Sequence, residues 1–173
     1  FGIHRFTLPQ LRFALAAERL ARDEKAMVDG VAMDALAARA VHACRAEGQL
    51  AWFDPVAGTP GFFRALAATI SELRLNDIDR DLVHRAGASG QDLDNLLVHF
   101  DRYLQEAETA DLAAAYKTAL TVIDEPEFRF RGRPLLLLDI SPTSFLEQET
   151  IRTLANAASA VLATAHQRDQ LSI

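Results

Sequence analysis

At 173 residues the chain is long enough to bury a core of its own, as one domain or as one domain carrying a large insertion. Half of it is apolar and 24% is charged, a globular composition that excludes a disordered tail, and no segment is long and apolar enough to span a bilayer. The net charge of -6 excludes a free-standing, non-specific DNA binder, so any nucleic-acid contact has to be local.

The opening IHRFT reads as a short strand, and LPQLRFALAAERLARDEKA as a helix. Pro9 suits its first turn, and Leu8, Leu11, Leu15 and Leu20 recur near helical spacing. AMDALAARAVHACRAEG is a second, alanine-rich helix closed by Gly48. TPGFFRALAATISELRL is a third: Thr59 is placed to cap it, Pro60 fits its first turn, and Phe62, Leu66, Ile70 and Leu73 line one face. DIDRDLVHRA is a short helix ending before a GASG turn, and QDLDNLLVHFDRYLQEAE carries Leu93, Leu97, Phe100 and Leu104 in register. DLAAAYKTALTVI makes one more helix.

The pattern changes at Pro126. In FRFRGRP, Arg129, Arg131 and Arg133 alternate with Phe128 and Phe130, which reads either as a solvent-exposed extended segment or as the best local basic cluster for DNA. LLLLDIS is an apolar run expected of a strand buried on both faces of a parallel sheet. FLEQETIRTLANAA is a helix carrying Phe145, Ile151 and Leu154, and SAVLATA a second short buried strand. A βα unit therefore opens the chain and a βαβ unit closes it, with helices between. The expected class is α/β, mostly α by residue count: one sheet formed by residues 1-25 and 126-173, interrupted by an all-helical insertion at 26-125.

Open parallel sheets place ligands at the carboxyl ends of their strands, which makes Asp139 the most informative residue. In a P-loop NTPase that position coordinates magnesium and a glutamate after it polarises water; here Ile140 follows. No GxxxxGK[ST] cradle occurs, so no cofactor is expected. Asp139 reads equally as a strand-end carboxylate capping backbone amides. His4, His42, His84, His99 and His166 have no adjacent nucleophile in a recognisable setting and read as ordinary surface or core residues. Asp92, Asp94 and Asp101, and Glu147 with Glu149, read as solvated helix faces rather than a metal site. Cys44 is the single cysteine, so no internal disulfide forms, and the default setting is cytoplasmic. There is no signal peptide, and a start at Phe1 among strand-like residues suggests a piece of something longer.

These residues resemble a family. TLPQLRFAL resembles the strand-to-helix motif TFHSLAxRLL of UvrD-like superfamily-1 helicase cores, with Thr7, Leu11 and Leu15 on matching positions. DLAAAYKTAL followed by LLLLDISPTSFLEQETIRTLA resembles a helix and then the motif LVDEFQDTNxxQxxLLxxLA. Asp139 falls on its magnesium aspartate, Ile140 on its catalytic glutamate, Gln148 on its glutamine and Leu154 on its packing leucine. SAVLATAHQRDQLSI is similar to VVGDxDQSIY, with Asp169 and Gln170 on the DQ. TPGFFRALAATISELR is similar to wording in the degenerate helicase-like B subunits (AddB-type) of bacterial ATP-dependent helicase-nucleases.

The resemblance implies a partial P-loop-type, RecA-like sheet with a 1B-like helical insertion. It implies a non-catalytic fragment of a DNA repair and recombination subunit that holds or scans single-stranded DNA beside an active motor subunit. Arg5, Thr7, Arg129, Arg131 and Arg133 are the candidate DNA contacts. Two other readings stay open: a helical protein-protein interaction module, and an α/β enzyme using Asp139 as metal ligand or nucleophile.

Overall fold

The computed structural model describes residues 2–164. The described residues are mostly helical, with two small parallel two-stranded sheets, so the chain is a mixed α/β protein dominated by α. Its contacts divide it into two compact units: Phe1–Asp23 with Ala114–Ile173, and Glu24–Ala113 between them in sequence.

The first unit begins with α1 (Leu8–Arg22). Thr7 starts it through a reciprocal capping box: its hydroxyl accepts the Gln10 N–H, and Gln10 Oε1 accepts the Thr7 N–H at 2.9 Å. Residues from Ala114 onward of α6 (Leu112–Asp124) also belong here, with β3 (Leu135–Leu138), α7 (Phe145–Ala157) and β4 (Val161–Thr164). Its core joins Leu15 of α1, Ala119 and Ile123 of α6, Phe128, and Leu154 and Ala157 of α7. That packing puts the second division at 113/114, where composition had suggested 125/126: the apolar face of α6 is claimed by this core.

β3 and β4 pair in parallel with Leu135 opposite Val161 and Leu138 opposite Thr164, and α7 makes the crossover, as the strand, helix, strand reading of the tail expects. Three other expectations for this unit need correction. IHRFT is not a strand: Ile3 lies almost wholly in solvent, and among the described residues β3 and β4 pair only with each other, so no described strand takes up the backbone groups of this segment. LLLLDIS and SAVLATA supply the strands β3 and β4, but neither is buried on both faces: only Leu135 and Leu137 of β3 are partly covered, and every residue of β4 is exposed. Leu136, Leu138 and Leu162 remain 54%, 56% and 67% exposed. FRFRGRP is not extended either. It folds into consecutive turns closed by N–H to C=O bonds from Phe128 to Glu125, Arg131 to Phe128 and Arg133 to Phe130, with Phe128 buried in the core.

The second unit holds β1 (Ala26–Met27), α2 (Gly30–Ala46), α3 (Pro60–Leu75), α4 (Arg80–His84), α5 (Ala88–Glu106) and β2 (Thr109–Ala110). β1 and β2 pair in parallel where the chain enters and leaves the unit. Val41, Ile70, Leu96 and Phe100 fill its core, and burying each contributes about 1.5–3 kcal/mol. α2 is closed off two residues past its end by Gly48, whose left-handed backbone (φ 67) allows the Gly48 and Gln49 amides to reach the Arg45 and Cys44 carbonyls. Thr59 precedes α3 as expected but does not cap it through its side chain; its hydroxyl donates to the Val56 carbonyl instead. The GASG turn shrinks to Gly87, and α5 already runs from Ala88. Gly90 is inside that helix because a Cβ there would stand 2.1 Å from the Val83 carbonyl oxygen of α4.

Candidate nucleic-acid interface

The turns of 126–133 carry Phe130 to the segment ahead of α1. The Phe130 ring lies 5.2 Å from His4 and 6.1 Å from Phe6, centroid to centroid, and the His4 and Phe6 rings are nearly coplanar in orientation at 6.4 Å. The Arg129 guanidinium sits over Phe130 at 4.5 Å, a cation-π contact. Phe6 also lines an open groove with Arg5, Pro9, Gln10 and Phe13, with a volume of about 540 Å³. One arginine thus covers the aromatic cluster and a second lines the groove that adjoins it at Phe6, on a surface within the first unit. Sequence reasoning named Arg5 and Arg129 as contacts but not Phe6, Phe13 or His4; an aromatic at Phe13 that stays exposed near the start of α1 is a feature that periodicity alone did not single out.

The other candidate contacts separate. Arg131 is committed to the fold: its guanidinium donates to the Ile123 carbonyl at 2.7 Å and the Glu125 carbonyl at 3.1 Å, closing the end of α6. Thr7 has both its N–H and its hydroxyl engaged in the α1 cap. Arg133 lies exposed just before β3, where its carbonyl accepts the Ser159 N–H.

Asp139 stands exposed at the end of β3 with a left-handed backbone (φ 49), a conformation that aspartate tolerates better than most residues. Its N–H donates to the Thr164 hydroxyl of β4 at 3.1 Å, so the strand-end amide is itself capped. Ile140 beside it is half-buried, and Gln148 is exposed on α7. Asp169 and Gln170 lie outside the described residues. Among the described residues no group of three His, Cys, Asp or Glu side chains is placed to hold a metal ion.

The loop between Asp139 and α7 is held from behind by Glu147, which the helical spacing had assigned to a solvated face. Glu147 Oε2 accepts the Thr143 N–H at 2.7 Å and the Thr143 hydroxyl at 2.9 Å, while Oε1 accepts the hydroxyl of buried Tyr116 at 3.1 Å. Arg12 lies over the Tyr116 ring at 5.2 Å. Partial burial alone would raise the Glu147 pKa, but the hydrogen bonds from Thr143 and Tyr116 outweigh it and hold the carboxyl below its ordinary value. Burial, then the Glu147 charge, pushes the Tyr116 phenol up to about 12.

The signs of these shifts set a stability profile. A carboxyl depressed by folding contributes above its unfolded value, so this contribution is lost as pH falls through the lower folded value. A phenol whose pKa folding raises holds its proton longer in the native state, so stability falls as pH rises from the ordinary value of 10.0 toward about 12. Urea midpoints measured against pH are expected to decline at both ends, and Tyr116→Phe to remove its part of the alkaline decline. An alkaline absorbance titration in which no phenol outlasts about pH 11 in the native chain would contradict the assignment.

The remaining acidic residues of the α5 face are also not idle. Asp94 pairs with Arg80 at 2.6 Å and with His84 Nδ1 at 3.1 Å, Asp101 with Arg74, and Asp92 is buried against the 51–53 backbone. Glu149 pairs with Arg152 on α7. Buried His99 lies between Gln49 Oε1 at 2.9 Å and the Arg102 guanidinium at 2.8 Å, so Nδ1 accepts from Arg102 and Nε2 carries the proton. Cys44 is fully buried, and burial raises its thiol to about 12, far from a reactive thiolate.

No family model matches the chain, and no curated protein does. No helix of the described residues is long and apolar enough to cross a membrane.

Proposed function

We propose that this chain is a non-catalytic, helicase-like segment of a DNA repair and recombination helicase-nuclease subunit, holding or scanning single-stranded DNA beside an active motor subunit. The observation that carries the reading is a cluster of the His4, Phe6 and Phe130 rings with the Arg129 guanidinium over Phe130 and Arg5 lining the groove that Phe6 shares. Cations attract the phosphates and exposed rings stack on bases, the combination used by single-strand binders. In a chain of net charge -6 such a surface makes DNA contact local rather than general.

The β3-α7-β4 unit supports the helicase-like half, with Asp139 at the carboxyl end of β3. A wider RecA-like sheet belongs to this proposal. Ile140 stands where water activation needs a carboxylate, so the segment is assigned no ATP turnover of its own. The apolar outer face of Leu136, Leu138 and Leu162 favours a second reading, a protein-protein interaction module that docks the partner subunit.

Fluorescence anisotropy with a labelled single-stranded oligonucleotide tests the first reading. The Arg5→Ala/Arg129→Ala double variant is expected to bind about tenfold more weakly at low salt. The slope of log affinity against log salt is expected to shrink by about 1.4, or roughly 0.7 for each phosphate contact removed. Absence of salt-dependent binding by the native chain would sink the reading.

A further inference from the structure

We propose that the groove lined by Arg5, Phe6, Pro9, Gln10 and Phe13 is a site for one unpaired nucleobase, stacked on Phe13, with Arg5 on the neighbouring phosphate. The inference rests on the single-strand reading above and goes further, because a surface that touches only phosphates would accept duplex and single strand alike.

Three features of the groove select this occupant. The first is its shape and size. About 540 Å³ falls within the range of small-ligand sites and suits a nucleotide-sized group, while a base held in a duplex stack presents only its edge to such a groove. The second is charge. Arg5 is the one charged residue among the five, none is a carboxylate, and the first turn of α1 carries no acidic side chain, so its positive end is not neutralised there. Arg129, on the Phe130 ring that packs against Phe6, adds a second cation at the same surface. An anionic backbone complements this surface, and a purely apolar peptide does not.

The third feature is the placement of the flat groups. Phe13 stands three residues after Gln10 and four after Pro9, so each of the two neighbours its ring along the surface of α1. Phe13 is 63% exposed, while Leu15, Ala16 and Leu20 of the same helix enter the interior. Core packing therefore does not account for the ring. Gln10 is oriented by its own helix cap: Oε1 accepts the Thr7 N–H, which fixes the amide with Nε2 as its donor end. Gln10 lines the groove, and with Oε1 engaged in the cap the end it has left to offer is the Nε2 donor, which matches the ring nitrogens and carbonyl oxygens that base edges present as acceptors.

The test is fluorescence anisotropy of the full chain with labelled oligo-dT, an abasic oligonucleotide of the same length, a duplex, and oligo-U. The native chain is expected to bind oligo-dT about tenfold more tightly than the abasic strand or the duplex, the scale of one base stacked on an aromatic ring. Phe13→Ala is expected to erase that preference without changing the salt slope, since no charge is removed, and Phe13→Trp to keep it. The exposure of Phe13 makes both variants foldable, which the thermal midpoint checks. Equal binding of oligo-dT and the abasic strand, or an undiminished preference in Phe13→Ala, overturns the base site and leaves the single-strand reading standing. No binding to any probe at low salt overturns both. Tighter binding of oligo-U supports the base site and overturns DNA as its source.

Discussion

Arg74→Ala is expected to destabilise the Glu24–Ala113 unit by about 3–5 kcal/mol, the cost of removing one partner from a buried ion pair. Arg74 projects from α3 and donates from Nε to Asp111 Oδ2 at 2.6 Å and from Nη2 to Asp111 Oδ1 at 3.3 Å, a two-pronged contact, while Nη1 meets Asp101 of α5. Asp111 is only 2% exposed. Burial by itself would lower the pKa of the guanidinium, but the hydrogen bonds and charges of Asp111 and Asp101 outweigh it and raise it further, so Arg74 stays charged. Its removal leaves the Asp111 carboxylate in the interior without the guanidinium that offsets its desolvation. Arg74→Lys is expected to recover only part of the loss, because an ammonium cannot address both oxygens of a carboxylate in a planar fork. The double variant Arg74→Met/Asp111→Leu is expected to lie near the native chain, since replacing both charges removes the desolvation cost along with the attraction. Urea midpoints at unchanged m-value measure these differences. An Arg74→Ala variant within about 0.5 kcal/mol of the native chain, the scatter of an ordinary surface substitution, would refute the assignment.

Asp92→Ala is expected to cost about 3 kcal/mol, for a different reason. The Asp92 carboxylate of α5 is 3% exposed and accepts the backbone N–H groups of Ala51 at 3.0 Å, Trp52 at 2.8 Å and Phe53 at 2.9 Å. Charge-assisted bonds of this kind contribute about 1.5–3 kcal/mol each before rehydration of the freed donors. Ala51 and Trp52 lie at the surface, where water recovers part of the loss, so the total stays well below three full bonds. Asn95 reinforces the clamp by donating to the Gln49 carbonyl at 3.0 Å. Asp92→Asn is expected to cost less than alanine, because all three amides reach one carboxylate oxygen, Oδ2, which the asparagine oxygen can replace, with the loss of the charge and an NH₂ group facing the Ala51 amide as the remaining cost. Trp52 is the chain's one tryptophan and is largely exposed, so its emission anisotropy reports on this loop directly. In Asp92→Ala the anisotropy should fall at temperatures where far-ultraviolet circular dichroism is still native. An unchanged anisotropy would mean that the three bonds do not hold the loop.

Helical periodicity alone located Phe62, Leu66, Ile70 and Leu73 on one face and Leu93, Leu97, Phe100 and Leu104 on another, and all of them pack in or against the core of the second unit. It worked because a 3.6-residue repeat is a property of one segment. The same repeat misled for Asp92, Asp101 and Glu147. A charged residue on a helix looks solvated unless one knows which loop amide, arginine or tyrosine arrives from far along the chain, and here the partners are 27 to 41 residues away. FRFRGRP misled likewise: alternating arginines and phenylalanines suit an extended segment, but Phe128 gains more by entering the core, and the chain turns to let it.

The order of helices, the glycine stop after α2 and the closing strand, helix and strand are consequences of local composition and spacing, which is why the chain's own letters determined them. Whether Arg131 met solvent or the carbonyls of α6, whether the leucines of β3 were covered, and which arginines share an aromatic cluster with Phe6 were decided only by tertiary structure. Those outcomes depend on surfaces brought together by packing, and a carboxylate or guanidinium acquires its role from what is desolvated beside it.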